Sequence, residues 1–188
     1  MKQSYTSACY DAKLALLLPW LREYASEFAA EKLTYFLLRM GEPQLKLDFQ
    51  KHIYGPYSGK VRHVLFALNG TFLTGLSQKD AKPFQALPLL IDKKAEVDAY
   101  LEENTVASQK ERLAKVKKLI DGFQSPAGLE LLSSLDYLIN EHKTFDCPVL
   151  SNELKNWSSR KEKMFSEFQI KVAINRLQEF RETLYHEF

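Results

Sequence analysis

The chain has 188 residues, is 45% hydrophobic and 27% charged, and carries 26 Lys/Arg against 24 Asp/Glu for a net charge of +2. That length supports a self-sufficient core in one domain, and so even a charge balance does not by itself argue for nucleic acid or an anionic membrane as partner. Two cysteines, Cys9 and Cys147, form no C-x-x-C pair, which argues against a zinc ribbon or a thioredoxin-like site and fits a reduced compartment.

The first apolar run, residues 14–21, is too short to cross a bilayer. It is flanked by Asp11, Lys13 and Arg22 without a small-residue cleavage site, so it does not read as a signal peptide. A cytoplasmic protein with no membrane partner is expected. Within this run Leu14, Leu17, Leu18 and Leu21 recur at helical spacing, which predicts a helix over 8–24 with a kink at Pro19.

Ser26 is placed to cap a second helix with Glu27 in its first turn. Along it Ala29, Leu33, Phe36, Leu37 and Met40 make an apolar stripe for the core. Lys32, Tyr35 and Arg39 make a neighbouring stripe, expected to be a solvated flank or a contact surface. Gly41 and Pro43 end the helix. Leu45, Leu47 and Phe49 alternate with Lys46, Asp48 and Gln50, the period of a half-buried strand. Gly55-Pro56 breaks the chain, and Ser58 is expected to cap a helix over 59–69 whose Val61, Val64, Leu65 and Leu68 face inward. Gly70 stops that helix. Residues 71–76 and 84–91 read as short strands around a polar loop over 77–83.

The second half reads as helical. Asp92 and Ser108 are expected caps for helices to about 103 and 123. Ser125-Pro126 is a cap followed by proline at the first helical position, opening a helix with Leu129, Leu132, Leu135 and Ile139 inward. After a loop over 144–148, Ser151 is expected to open a helix containing Leu154 and Trp157. Ser166 caps a terminal one with Ala173, Leu177, Phe180 and Leu184 on one face. The expected fold is α+β and mainly α: a helical domain with a small two- to three-stranded antiparallel sheet in the first half. One domain, 1–188, divides into a helix-strand-helix half, 1–91, and a helical half, 92–188.

Catalysis finds little support in the residues. His52, His63, His142 and His186 have no metal-ligand spacing. Ser58, His63 and Asp48 contain the residue types of a nucleophilic triad, but no G-x-S-x-G turn surrounds Ser58 and capping explains it. Neither G-x-G-x-x-G nor a phosphate loop is present, so no cofactor is expected. Binding is better supported. Between positions 31 and 63 the sequence holds Lys32, Arg39, Lys46, Lys51, Lys60 and Arg62 against Glu31, Glu42 and Asp48, with Tyr35, Tyr54 and Tyr57 interleaved. That mixture suits base stacking with phosphate contact or a protein interface. It also suits tyrosines packed under solvated cations. Asp92, Glu96, Asp98, Glu102 and Glu103 form an acidic counterpart, a solvated face or a surface for a basic partner.

The wording of residues 31–76 is more specific than its periodicity. Lys32-Leu33-x-Tyr35-Phe36, Gly41-Glu42-Pro43, Tyr54-Gly55-Pro56-Tyr57 and Val61-Arg62-His63-Val64-Leu65 together resemble the C-terminal, toxin-binding domain of DarG-type antitoxins. A weaker likeness continues through residues 119–132 and through Trp157 with Arg160-Lys161. A broader family, the SocA-like antitoxin domain, shares the Lys-Leu-x-Tyr and Tyr-Gly-Pro elements. In DarG proteins this domain follows a macrodomain that removes ADP-ribose from DNA, and the partner toxin, DarT, uses NAD to ADP-ribosylate thymidine in single-stranded DNA. The resemblance implies a non-enzymatic module that binds a DarT-like toxin over its DNA-binding surface, a macrodomain lying in the same longer chain or the module standing alone. The glycine-rich ADP-ribose loops of a macrodomain are missing here, so the hydrolase is not expected in this chain. The residues implied in partner binding are Lys32, Tyr35, Lys51, Tyr54, Tyr57, Arg62 and His63, with Gly55 and Pro56 fixing the turn. The alternative is a winged-helix-like DNA-binding regulator using Trp157, Arg160, Lys161 and Lys163.

Overall fold

The structure, a computed structural model, describes residues 19–20, 23–24, 26–76 and 84–186. The helix expected over 8–24 lies mostly outside these residues; positions 19–20 and 23–24 are helical and Trp20 is fully buried. Cys9 and the loop expected over 77–83 also lie outside them.

Helix α1, Glu27–Arg39, begins where Ser26 accepts the Ala29 N–H at 3.1 Å, and it ends before Gly41, whose φ of +79° carries the chain away. Every residue from Glu27 to Leu37 is buried. The stripe of Lys32, Tyr35 and Arg39 is therefore neither a solvated flank nor an open contact surface: Lys32 and Tyr35 are buried and Arg39 is half-buried. A helix covered on all sides needs partners for its polar side chains, and it finds them in the hairpin that follows and in a helix far along the chain.

The hairpin pairs β1, Gln50–His52, with β2, Gly55–Tyr57, antiparallel in the register Gln50↔Tyr57, Lys51↔Pro56 and His52↔Gly55. The expected strand at Leu45, Leu47 and Phe49 is a correction. Leu45 and Leu47 do turn inward and Lys46 and Asp48 outward, but the segment has no ladder partner and pairing starts at Gln50. Alternation reports which side meets the core, not whether a neighbouring strand exists. Helix α2, Gly59–Leu68, buries Val61, Val64, Leu65 and Leu68 as expected and stops at Asn69 and Gly70, the latter at φ +84°. Ser58 precedes it without a side-chain cap bond. The expected strands over 71–76 and 84–91 reduce to single bridges, Leu73 to Leu89 and Ser26 to Ala86. The Asn69 side chain takes the place of a strand partner, donating to Leu76 O at 3.0 Å and accepting from its N–H at 3.3 Å.

A 3-10 turn, Ile91–Lys93, leads into α3, Lys94–Asn104, so Asp92 sits inside the turn rather than capping. Helix α4, Ala107–Leu119, starts one residue before Ser108, its entry fixed by the Val106 N–H donating to Gln109 Oε1 at 3.2 Å. Helix α5, Pro126–His142, starts as expected, with Ser125 accepting from the Gly128 N–H at 3.0 Å. Helix α6, Cys147–Trp157, starts before Ser151 because Asp146 takes the Val149 N–H at 2.9 Å and Pro148 fits the first turn. Helices α7, Ser159–Met164, α8, Glu167–Glu179, and α9, Arg181–Leu184, complete the described chain.

Helix α5 is the axis. It packs against α1, α6, α8 and β2, and Leu129, Leu132, Leu135, Leu138 and Ile139 are at most 1% exposed. Each such burial is worth about 1.5–3 kcal/mol. The fold is α+β, mainly α, with one two-stranded antiparallel sheet among the described residues. Gly55 lets β2 lie directly on α5. It is buried at φ +95°, and a Cβ there would stand 2.9 Å from Ser134 Oγ and 3.3 Å from Ser133 Oγ.

Candidate partner-binding site

The hairpin carries most of the candidate residues, and the structure divides them into framework and rim. Lys32 is framework. Its ammonium donates to Pro56 O at 2.6 Å and stands 5.3 Å from the centre of the Phe28 ring, so it fixes the β2 backbone from inside. Tyr35 is also framework, its hydroxyl donating to Asp136 Oδ2 at 2.6 Å. Gly55 and Pro56 are buried beneath the turn. On the rim, Lys51 is exposed, 2.6 Å from Glu141 and 5.3 Å from the Trp157 ring, while Trp157 Nε1 donates to His52 O at 3.0 Å. Tyr54 is half-buried, edge-on to Phe84, with the Arg160 guanidinium 4.9 Å from its ring centre. Tyr57 lies against His52, Arg62 is half-buried, and His63 is exposed on α2.

Behind the rim lies a cluster of ionisable groups on α1. Glu31 is 2% exposed, and Glu31 Oε2 accepts the Ser58 N–H at 3.1 Å, tying the start of α2 to α1. Among the described residues Glu31 Oε1 has no partner. Burial pushes the Glu31 carboxyl up to about 8 and pulls the neighbouring Lys32 ammonium down to about 8. Glu27, 5% exposed, is also raised by burial, its 3.6 Å approach to Arg62 offsetting only part of that. Glu27, Phe28, Glu31, Tyr54, Tyr57 and Arg62, with Lys32 and His52, surround a cavity of about 170 Å³.

Two further buried clusters hold the site in place, and the sequence reading missed their acids. Asp136, fully buried on α5, accepts from Tyr35 at 2.6 Å, from Arg39 Nε at 2.8 Å and from the Tyr185 hydroxyl at 2.5 Å. Arg39 also donates to Leu184 O at 2.7 Å, tying α1 to the end of α9. Burial first and the Asp136 charge second hold both tyrosines well above their usual range. One turn and a half earlier on α5, Glu130 pairs with Lys161 at 2.7 Å and Arg160 at 2.5 Å, and Lys161 also donates to Ser134 Oγ at 3.1 Å. Lys161 is 1% exposed. Of the residues of the winged-helix reading, Lys161 is thus buried, Trp157 and Arg160 are half-buried against the hairpin and α5, and Lys163 is exposed. A signal for Glu130 and Asp136 was present: both fall among the leucines of an otherwise apolar helix face.

Elsewhere the surface is of two kinds. Asp92, Glu96, Glu102 and Glu103 are exposed, with Glu96 paired to Lys93 at 2.8 Å. An apolar groove of about 400 Å³ runs between α5 and α8 past Phe123, Leu131 and Phe165, and Phe168 beside it is 76% exposed. Ser58 is buried while His63 is exposed, and Asp48 pairs with Lys60 at 3.3 Å, so the triad types are not assembled. Among the described residues no three His, Cys, Asp or Glu side chains lie close enough to hold a metal ion, and no helix is long and apolar enough to cross a membrane.

No protein-family model matches the chain. Individual relatives do. The DNA ADP-ribosyl glycohydrolase of Thermus aquaticus (strain ATCC BAA-2747 / Y51MC23) is 33% identical over 171 residues, 88% of this chain and 44% of the relative. The proteins of the same name from Mycobacterium tuberculosis (strain ATCC 25618 / H37Rv) and Mycobacterium bovis (strain BCG / Pasteur 1173P2) are each 30% identical over 155 residues, 81% of this chain and 44% of the relative. The match thus spans less than half the length of these relatives. Along more than four fifths of its own length, this helical domain is similar to part of the proteins named DNA ADP-ribosyl glycohydrolase.

Proposed function

We propose that the chain is an antitoxin domain that binds a DarT-like DNA ADP-ribosyltransferase in the cytoplasm and neutralises it by covering its DNA-binding and active-site surface. The observation that carries this reading is the 30–33% identity over 81–88% of the chain to DNA ADP-ribosyl glycohydrolases, confined to 44% of their length. It joins the likeness of residues 31–76 to the toxin-binding domain of DarG-type antitoxins. The site is in keeping with it. Its ionisable groups are spent on holding a hairpin rim of Lys51, Tyr54, Tyr57, Arg62 and His63 against a rigid axis, which is the work of a binding surface. Lys32, Tyr35, Gly55 and Pro56 serve that surface from beneath. Removal of ADP-ribose is not assigned to these residues.

The test is co-expression with a DarT-like toxin from the same organism. The expected result is a complex that co-purifies, in which NAD-dependent modification of a thymidine-containing single strand is suppressed while ADP-ribose already attached is left in place. Full toxin activity with no complex would overturn the proposal.

A further inference from the structure

The tip of the hairpin carries residues that a turn facing only water does not call for. Between β1 and β2 the chain reverses over Ile53 and Tyr54, flanked by the pair His52↔Gly55. Gly55 supplies the left-handed backbone at φ +95°, and neither Ile53 nor Tyr54 has a positive φ. Such turn positions ordinarily hold Asn, Asp, Ser, Gly or Pro. Here Ile53 is 49% exposed, and Phe84, edge-on to Tyr54 with ring centres 5.2 Å apart, is 45% exposed. Ile53 also borders an open cleft with Trp157 in its wall. One exposed apolar side chain needs no explanation, but a ridge of them with aromatic members marks a contact surface.

Two further observations say what that surface meets. The cations beside the ridge are matched within the chain: Lys51 lies 2.6 Å from Glu141, and Arg160, whose guanidinium covers the Tyr54 ring at 4.9 Å, pairs with Glu130. The ridge therefore offers apolar and aromatic contact with no spare charge. The tip is also anchored on both strands, since His52 O accepts from Trp157 Nε1 at 3.0 Å and Pro56 O from Lys32 at 2.6 Å. A protrusion already held in place loses little freedom on binding. A rigid, convex, uncharged tip fits a concave apolar pocket and not a flat charged face.

We propose that the ridge of Ile53, Tyr54 and Phe84 is the energetic centre of the partner interface, with Ile53 entering an apolar pocket of the bound protein. That this protein is the toxin rests on the function proposed above. Ile53 is absent from the residues drawn from the sequence motif, and Lys51, exposed and paired, belongs to the polar rim around it.

The variant that tests this is Ile53→Asp, because it separates binding from folding. Aspartate suits a turn position better than isoleucine, so the melting temperature should not fall. A carboxylate brought into an apolar pocket should nonetheless weaken the complex by about thirtyfold or more. Ile53→Leu keeps the apolar contact and should stay within about threefold of the parent. Calorimetry of the full chain against the toxin of the co-expression test gives the affinities, and thermal melts give the folding arm. Ile53→Asp binding within about threefold of the parent would overturn the proposal. Loss of binding together with a lowered melting temperature would make Ile53 a folding residue and overturn it as well. If the parent chain forms no complex, the antitoxin reading fails and takes the ridge with it. If the parent binds the toxin and Ile53→Asp binds it equally, the ridge proposal alone fails.

Discussion

Two clusters of buried charge draw on the same helix, α1, and they are built to opposite standards. Around Asp136 the geometry is complete: Tyr35, Arg39 and Tyr185 all donate to one carboxylate within 2.8 Å. Around Glu31 it is incomplete, with one oxygen unpartnered and the carboxyl held up at about 8 by burial. A satisfied network rigidifies and specifies a packing, whereas a partly satisfied one costs stability. The contrast separates scaffold from site. The chain tolerates the Glu31 defect because the Asp136 and Glu130 clusters clamp α1 and the hairpin from the other side.

The largest expected effect follows from breaking the complete cluster. Asp136→Asn leaves the Arg39 charge without its partner and should lower the unfolding free energy by about 3–5 kcal/mol, read from urea denaturation. Next comes the seat of the hairpin. Gly55→Ala places a Cβ 2.9 Å from Ser134 Oγ at a φ of +95°, and about 1–3 kcal/mol should be lost. A Gly55→Ala, Ser134→Gly double variant, referred to Ser134→Gly alone so that the lost Lys161 bond cancels, should recover only the steric share, which divides contact from backbone strain.

The incomplete cluster should respond with the opposite sign. Glu31 holds its proton in the folded state up to about 8, against 4.5 ordinarily. The stability tied to that proton is therefore fully present below about 4.5 and is lost as pH rises towards 8. Glu31→Gln has no proton to lose and keeps an acceptor for the Ser58 N–H. It should be near the parent at pH 5 and exceed it by on the order of 3 kcal/mol near pH 8, checked by melts at both values. Lys32, pulled down to about 8 from 10.5 by burial and held up in part by the Glu31 charge, titrates at the upper edge of this window, so melts at pH 6 and 7 accompany those at 5 and 8. An unchanged difference across it would remove the contrast between the clusters. The smallest effect on stability belongs to the rim: Lys51 pairs with Glu141 across side chains 40% and 42% exposed, and Lys51→Glu should cost less than about 1 kcal/mol. Its effect on toxin binding should be larger, a loss of tenfold or more by calorimetry.

The helices were legible where local chemistry decides them. Ser26, Ser125 and Ser166 cap as their positions imply, and the inward faces of α2 and α5 follow their leucine and valine spacing. Starts set by less conspicuous acceptors were not legible: Asp146 before Cys147-Pro148 and the Gln109 side chain behind Val106 each moved a boundary. Of the site, the turn at Tyr54-Gly55-Pro56-Tyr57 could be read, and its burial could not. Lys32 and Tyr35 look like surface residues because a helix stripe reveals only that it differs from the apolar one. What covers it is a hairpin and a helix whose acid, Asp136, lies 101 positions from Tyr35, and such pairing leaves no trace in local periodicity.

The bond from Arg39 to Leu184 O spans 145 positions, and its meaning is temporal. At translation speeds of roughly 5–20 residues per second, the first helix would leave the ribosome on the order of ten seconds before its last anchor exists. For the first part of that interval, until α5 at 126–142 has been made, the apolar face of α1 lacks its main covering helix, and contacts of such long range close slowly. The nascent first half is therefore the stage most exposed to chaperones and proteases. A domain built this way closes its core only when its C-terminal helix has been made.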